Sequence, residues 1–181
     1  LLGLGTVGRG VYDYILARDD MELAYVLSLT LFDGIPCKIA QSIDEILDDA
    51  TVDTVVEVIG GLHPAYEWVT AAIRAGKNVI TANKDLMAEH GAELFAAAEK
   101  SGCDLLFEAS VAGGIPIIRP MKQCLAGNNI SEVMGIVNGT TNYILTRMIR
   151  GGLSFDDALK EAQEKGYAEA DPTADIEGHD A

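Results

Sequence analysis

The chain has 181 residues, with 13 Lys or Arg against 28 Asp or Glu for a formal charge of −15, and 49% of it is hydrophobic. That allows one large domain, or one domain with part of a second, and the acidic balance argues against a nucleic-acid surface, which needs clustered Lys and Arg to neutralise phosphates. No apolar run reaches the roughly 18 residues a membrane span needs, and Cys37, Cys103 and Cys124 lack CxxC or zinc spacing, so they read as reduced thiols of a cytoplasmic protein.

Leu1-Leu2 reads as the stub of a strand, cut off at once by Gly3, so a few residues are expected to precede it. Val7, Val11 and Ile15 fall on one helical face. Glu22 to Leu29 is an apolar run suited to a buried parallel strand. Ser42-Ile43-Asp44-Glu45 matches a capping box, with Ile43, Ile46 and Leu47 as the inward face of a short helix. Val52 to Ile59 is the next strand, and Pro64 suits the first turn of a helix that carries Trp68, Val69, Ala72 and Ile73 and stops at Gly76. Asn78 to Ala82 is a strand, Leu86 to Ser101 a helix ended by Gly102, and Cys103 to Glu108 a strand again. Strands alternating with helices predict parallel βαβ units.

The rhythm changes after Glu108. Val111 to Ile115 is Gly-rich, Pro116 opens a helix to about Leu125, and Ala126 to Asn129 is a turn. Ile130 to Val137 is expected as a strand, and Asn138-Gly139-Thr140-Thr141-Asn142 leads into a helix. Ser154 caps a further helix that stops at Gly166, and the acidic stretch with Pro172 and Gly178 reads as a loop entering something new. The domain boundary is placed near Glu108, giving domains over 1–108 and 109–181.

Gly3-Leu4-Gly5-Thr6-Val7-Gly8 is G-x-G-x-x-G between a strand and a helix. Gly3 permits a tight turn, Gly5 leaves room for a pyrophosphate, and Gly8 lets helix and strand pack closely; the helix N-terminus then offers amide donors to phosphates. A glycine turn with no ligand is the plain alternative, and the strand before and helix after weigh against it. At the end of the second strand, Ser28 to Thr30 stand where an Asp or Glu would hold the ribose of NAD, and no Arg is there for the phosphate of NADP. The stretch Ser28 to Asp33 looks short for its loop, and the choice of NAD or NADP stays open.

Thr81-Ala82-Asn83-Lys84 lies at the C-terminal end of a strand, the edge that faces the ligand crevice in open α/β sheets. A lysine there can hold a carboxylate or hydrogen-bond a carbonyl, whereas an isolated lysine is more often a solvated surface residue. Glu169, Asp171, Asp175, Glu177 and Asp180 form a sparse acidic cluster that can be read as an amine-binding site, a divalent-metal site or a solvated tail; on spacing alone the tail ranks first. His63, His90 and His179 have no HExxH spacing and read as incidental, and no G-x-S-x-G elbow occurs.

Taken jointly, Gly-Leu-Gly-Thr-Val-Gly at 3–8, Glu-Val-Ile-Gly-Gly at 57–61, Thr-Ala-Asn-Lys at 81–84, Glu-Ala-Ser-Val-Ala-Gly-Gly-Ile-Pro-Ile at 108–117, Asn-Gly-Thr-Thr-Asn-Tyr-Ile-Leu at 138–145 and Gly-Tyr-Ala-Glu-Ala-Asp-Pro-Thr-Ala-Asp-Ile-Glu-Gly at 166–178 closely resemble homoserine dehydrogenases. The likeness runs through nearly the whole chain in one order, and its last two segments are far more specific than the glycine fingerprint. It implies an α/β fold: a Rossmann-type doubly wound parallel sheet, then the start of an α+β substrate and dimerisation domain, truncated.

The resemblance also implies NAD(P)-dependent interconversion of L-homoserine and L-aspartate 4-semialdehyde, in the pathway to threonine, methionine and isoleucine. Gly3, Gly5, Thr6, Val7 and Gly8 would form the cofactor site, with Gly5, Thr6 and Val7 contacting the pyrophosphate, and Gly60 and Gly61 would lie on the nicotinamide side. Lys84 would be the active-site lysine, also beside the cofactor. Glu169 and Asp180 would hold the substrate amino group, and Asn138, Gly139 and Thr140 would line the substrate pocket. Glu108, Val111, Gly113 and Ile115 would form a monovalent-cation (Na or K) site, largely through backbone carbonyls. A homodimer or homotetramer in the cytoplasm, without nucleic acid or membrane, is the expected setting. The family's second catalytic lysine would fall a few residues beyond Asp180, so the chain is expected to be a fragment lacking one catalytic group. Two other readings stay open: a related amino-acid-pathway dehydrogenase, and a non-catalytic dinucleotide-binding subunit.

Overall fold

The computed structural model describes residues 1–168 and 171–178. It divides into two compact units, Leu1–Ala126 and the residues from Gly127 onward. The division falls after the helix that follows the Gly-rich segment.

In the first unit, β1 (Tyr25–Val26) runs parallel to β2 (Lys38–Ile39), and β3 (Thr54–Glu57), β4 (Asn78–Thr81) and β5 (Leu105–Leu106) form a second parallel ladder in that order. Leu2 joins the two ladders, bridging Leu27 on one side and Glu57 on the other. Its N–H donates to Val56 O at 2.8 Å and its carbonyl accepts from Val58 N–H at 2.9 Å. Across the sheet the order is therefore β2, β1, Leu2, β3, β4, β5, all parallel, which is the order of a doubly wound dinucleotide-binding sheet with Leu1–Gly3 in the place of its first strand.

Alternation along the strands sends side chains to both faces. Val55 and Val79 join a core with Ala65, Val69, Ala72 and Ile73 of α3 (Ala65–Arg74), Leu86, Leu94 and Ala98 of α4 (Lys84–Ser101), and Ile46 of α2 (Ile43–Leu47). On the other face Leu1, Leu4 and Val26 pack with Tyr12 of α1 (Thr6–Leu16), supported by Val56 and Val58. Leu2 is fully buried between the ladders; truncating such a side chain to Ala costs about 2–5 kcal/mol.

The expected alternation of elements is present, and the details differ where the sequence signal was weak. The ladder at β1 covers only part of Glu22 to Leu29, and β2 is a two-residue exposed edge strand with no periodic signal. On α1 the buried residues are Gly8 and Tyr12, while Val7 is exposed, because Gly8 must lie against the glycine turn and this sets the rotation of the helix. Ser42 occupies the N-cap of α2 but its hydroxyl caps nothing; Glu45 Oε1 accepts from the Gln41 N–H at 2.9 Å instead. A short 3-10 helix (Glu108–Ser110) follows β5, and α5 is Ile118–Gln123.

The second unit is helical among its described residues: α6 (Gly139–Gly151), α7 (Phe155–Glu164) and α8 (Thr173–Glu177). Ala158 and Ala162, one turn apart on α7, are small enough to let α6 approach, and they bury Ile144 with Ala168. Ser154 caps α7, accepting from the Asp157 N–H at 3.2 Å. Glu161 Oε2 accepts from Arg147 Nε at 2.8 Å and its Oε1 from Lys165 Nζ at 2.6 Å. Residues 130–137 are not the strand their sequence predicts: they lie in no ladder, because no other described residue of this unit is a strand to pair with them. The acidic stretch expected as a loop includes α8.

Candidate functional site

The glycine turn leaves the sheet where its two halves meet. Gly3 has φ +93°, and a Cβ there would lie 2.9 Å from Val58 O, so the turn sits directly on the chain leaving β3. A Cβ on Gly8 would lie 2.2 Å from Gly3 O, which only the absence of a side chain permits. Gly5, by contrast, faces open space. It precedes α1, whose N-cap carries no side-chain hydrogen bond, so the amides of the first turn at Thr6 and Val7 are not covered by a capping side chain. An open glycine cradle at the start of a helix of 11 residues fits a pyrophosphate through amide donors and the helix dipole. Ser28 Oγ accepts from the Leu4 N–H at 3.0 Å and from the Thr30 N–H at 3.1 Å, so the residue in the usual acidic position braces the glycine turn.

Two more turns complete this edge of the sheet. After β3, Gly60 and Gly61 both take positive φ, +81° and +70°. After β4, Asn83 caps α4: its Oδ1 accepts from the Leu86 N–H at 3.0 Å, and Lys84 is the first helical residue. The two turns share the carboxylate of Glu57, the last residue of β3, which is fully buried. Its Oε1 accepts from the Ile59 N–H at 2.8 Å and, at 3.4 Å, from the Gly60 N–H. Its Oε2 accepts from Thr81 Oγ1 at 2.5 Å, and Thr81 Oγ1 accepts from the Asn83 N–H at 3.0 Å. Asn83 Nδ2 donates to Gly61 O at 2.6 Å. A cavity of about 520 Å³ lies elsewhere, lined by Leu1, Leu23, Tyr25, Ile46, Thr54 and Ile80 among others and by none of these turns.

Glu108 begins the 3-10 helix, and its carboxylate accepts from three backbone amides: Ile117 at 2.6 Å, Ile118 at 3.0 Å and Arg119 at 2.7 Å. Between them, Ala112 and Gly113 both have φ +57°, Val111 follows the 3-10 helix and Ile115 is exposed. Among the described residues no group of three His, Cys, Asp or Glu side chains comes together to hold a metal.

In the second unit Asn138 is buried and caps α6, its Oδ1 accepting from the Thr141 N–H at 2.7 Å. Its Nδ2 donates to Asp175 Oδ1 at 2.7 Å. Gly139 is the first residue of α6, and Thr140 Oγ1 donates to Tyr167 O at 2.7 Å. Glu169 and Asp180, with His179, lie outside the described residues. Asp171 serves its own turn, where its carboxylate accepts from the hydroxyl and then the N–H of Thr173, which hold it below the usual carboxylate range. His63 pairs with Glu67 at 2.7 Å on an exposed helix start, and His90 stacks on Tyr66 with ring centroids 4.1 Å apart.

The structure thus gathers Gly3, Gly5, Thr6, Val7, Gly8, Gly60, Gly61 and Lys84 at one end of the first unit's sheet, and Asn138, Gly139 and Thr140 at one helix start of the second. Sequence reasoning missed Glu57 and Asn83 as organisers. A carboxylate in the apolar alternation of Thr54–Glu57 was the available signal for the first, and the residue type before a helix for the second.

A glycine turn between a parallel strand and a helix, at the switch point of a sheet wound on both faces, defines a dinucleotide-binding domain. The profile for the homoserine dehydrogenase NAD-binding domain matches residues 3–108, and the homoserine dehydrogenase profile matches 116–181. The chain belongs to the homoserine dehydrogenase family. It is 46% identical to the homoserine dehydrogenase of Bacillus subtilis over 195 positions, covering all of this chain and 45% of that protein. Against that of Corynebacterium glutamicum it is 48% identical, covering all of this chain and 44% of the relative. The chain therefore spans less than half the length of these relatives, and the alignments are longer than its 181 residues, so the relatives carry residues within the matched span that it lacks. Among solved structures it matches a homoserine dehydrogenase from Thiobacillus denitrificans with TM-score 0.91 and 45% identity, over 99% of this chain and 44% of that one. It also matches a hyperthermophilic archaeal homoserine dehydrogenase in complex with NADPH, with TM-score 0.81 and 27% identity, over 99% of this chain and 64% of that one. Among the described residues no helix is long and apolar enough to cross a membrane.

Proposed function

We propose that the protein is a cytoplasmic homoserine dehydrogenase, of which this chain supplies the nucleotide-binding domain, over 1–108, and the first part of the substrate domain, over 109–181. The observation that carries this is the convergence of the glycine turn, the Gly60-Gly61 turn and Lys84 at the same end of one sheet. A bound nicotinamide would supply the hydride acceptor for oxidation of the hydroxyl-bearing carbon of homoserine, which loses its hydroxyl proton as it becomes the aldehyde. The chain's own residues orient and neutralise. Thr6 and Val7 offer amides to the pyrophosphate, and the side-chain-free Gly60 and Gly61 leave space beside the nicotinamide. In the reverse direction, reduction of the aldehyde, the Lys84 ammonium stabilises the oxygen as it gains negative charge and donates a proton to it; in the oxidation the hydroxyl proton returns to the Lys84 nitrogen.

Glu169 and Asp180 take the substrate ammonium in this reading, and Asn138, Gly139 and Thr140 line its pocket. A sodium or potassium ion would be held at segment 108–115 by the carbonyls of Glu108, Val111, Gly113 and Ile115, the Glu108 carboxylate itself being engaged by backbone amides. Ser28 leaves NAD and NADP both admissible; the likeness to an NADPH-bound relative favours NADP. The substrate domain forms the contact of a homodimer, which sedimentation of the full-length protein tests.

The test of the reaction is the absorbance of reduced nicotinamide when full-length protein meets L-homoserine with NAD⁺ or with NADP⁺. Homoserine-dependent reduction, lost in Lys84→Ala, is expected, and the faster cofactor names the preference. Turnover of another amino acid instead would move the assignment to a related dehydrogenase, and cofactor binding with no turnover to a non-catalytic subunit.

A further inference from the structure

Position 57 is where the core calls for an apolar residue. Along Thr54–Glu57 the inward positions are Val55 and Glu57, both buried, and Val55 packs among Val69, Ile73 and Val79. A buried carboxylate is costly unless its oxygens are fully served by donors, and those of Glu57 are served by groups from two turns. Ile59 and Gly60 come from the turn after β3, and Thr81 from the end of β4. Thr81 passes the constraint on to the Asn83 N–H, and Asn83 returns it to Gly61 O while capping α4 at Lys84. The direct approach of Asn83 Nδ2 to Glu57 Oε1, at 3.5 Å, is too long to add much.

We infer that Glu57 is a positioning residue for hydride transfer: one buried carboxylate fixes the Ile59–Gly61 turn and the Thr81–Lys84 turn to each other, so that the nicotinamide-side backbone and the lysine share a single mount. This rests on Lys84 being the active-site lysine. The chemistry of the pair is specific. Glutamine keeps an acceptor for the Ile59 N–H but turns an NH₂ toward Thr81, whose hydroxyl then loses its acceptor. Aspartate is one methylene too short to reach both turns. A misplacement of roughly 1 Å costs about 100-fold in rate where reacting groups must be aligned.

The experiment compares Glu57→Gln and Thr81→Val, a near-isosteric cut of the same link, with wild type in the full-length protein. It reads kcat, KM for homoserine, and amide hydrogen exchange at Ile59, Gly60, Asn83 and Leu86 against Val55 and Val79. We expect kcat to fall about 10- to 100-fold with KM within about 3-fold, and Asn83 and Leu86 to exchange faster while Val55 and Val79 keep their protection. Wild-type kcat in either folded variant overturns the inference. So does loss of protection across the whole sheet in step with the rate, which marks Glu57 as a core residue only. Lys84→Ala with full kcat would remove the reading of Lys84, a separate result, because amide exchange is read without turnover.

Discussion

The carboxamide of Asn83 donates to the carbonyl oxygen of Gly61 at 2.6 Å, and its other end caps α4 by accepting from the Leu86 N–H. One buried side chain therefore closes the turn after β3 and starts the helix after β4. Asn83→Ala removes both bonds. Loss of a cap costs about 1 kcal/mol and loss of a buried hydrogen bond about as much again, so urea unfolding is expected to show a drop of about 2 kcal/mol. A drop below about 0.5 kcal/mol, within the range of ordinary surface substitutions, would mean that the turns hold without Asn83.

The two helical glycines at the start of α1 are expected to behave oppositely. At Gly8 a Cβ would meet Gly3 O at 2.2 Å, a backbone atom that cannot swing aside. Gly8→Ala must push α1 off the turn, and titration with reduced nicotinamide nucleotide, followed by fluorescence, is expected to show binding lost. Gly10 faces open space inside the same helix. Gly10→Ala should bind normally and gain about 0.5–1 kcal/mol from helix propensity. Equal effects at both positions would refute the close approach.

Glu161 sits between Arg147 and Lys165, whose hydrogen bonds, Lys165 first, bring its carboxyl from the ordinary 4.5 down to about 2. A carboxyl depressed in the folded state stabilises the fold above its unfolded pKa, and that contribution fades as pH falls toward the folded one. The gap in Tm between wild type and Glu161→Gln should therefore be full above about pH 5 and close progressively toward about pH 2. Groups common to both proteins cancel in the difference. A gap that is flat with pH, or that widens in acid, would show that the pair contributes nothing to α6–α7 packing.

How much of this was legible follows the strength of each local signal. Helices with clear stops and long apolar faces were readable: Pro64 to Gly76 and Ser154 to Gly166 bracket α3 and α7, and Leu86 to Gly102 marks α4 without its Asn83 cap. The glycine turn was readable because Gly3 and Gly8 are required by contacts that no other residue allows. The two-residue edge strand β2 carries no pattern, and α8 lies in a stretch whose acidic residues and Pro172 look like a loop. Residues 130–137 mislead for a different reason: their composition is that of a strand, but a strand exists only with a partner to bond to. Among the site residues, the position of Lys84 at a sheet edge came from the alternation of elements. The role of Glu57 could not, since it depends on Thr81, 24 residues away along the chain.

Residues 130–137 also bear on how the chain behaves as a colloid. Val133, Met134 and Ile136 are exposed at 64%, 86% and 77%, and Glu132 is the only charge from Ile130 to Val137. An unladdered apolar stretch of this kind is a template for other copies. What keeps copies apart is the charge of −15 on each, and that repulsion reaches about 10 Å in 0.1 M salt but only about 3 Å in 1 M. Chain 1–181 prepared alone should thus stay dispersed in dilute buffer and self-associate as salt is raised, the reverse of a protein whose copies are held together by ion pairs.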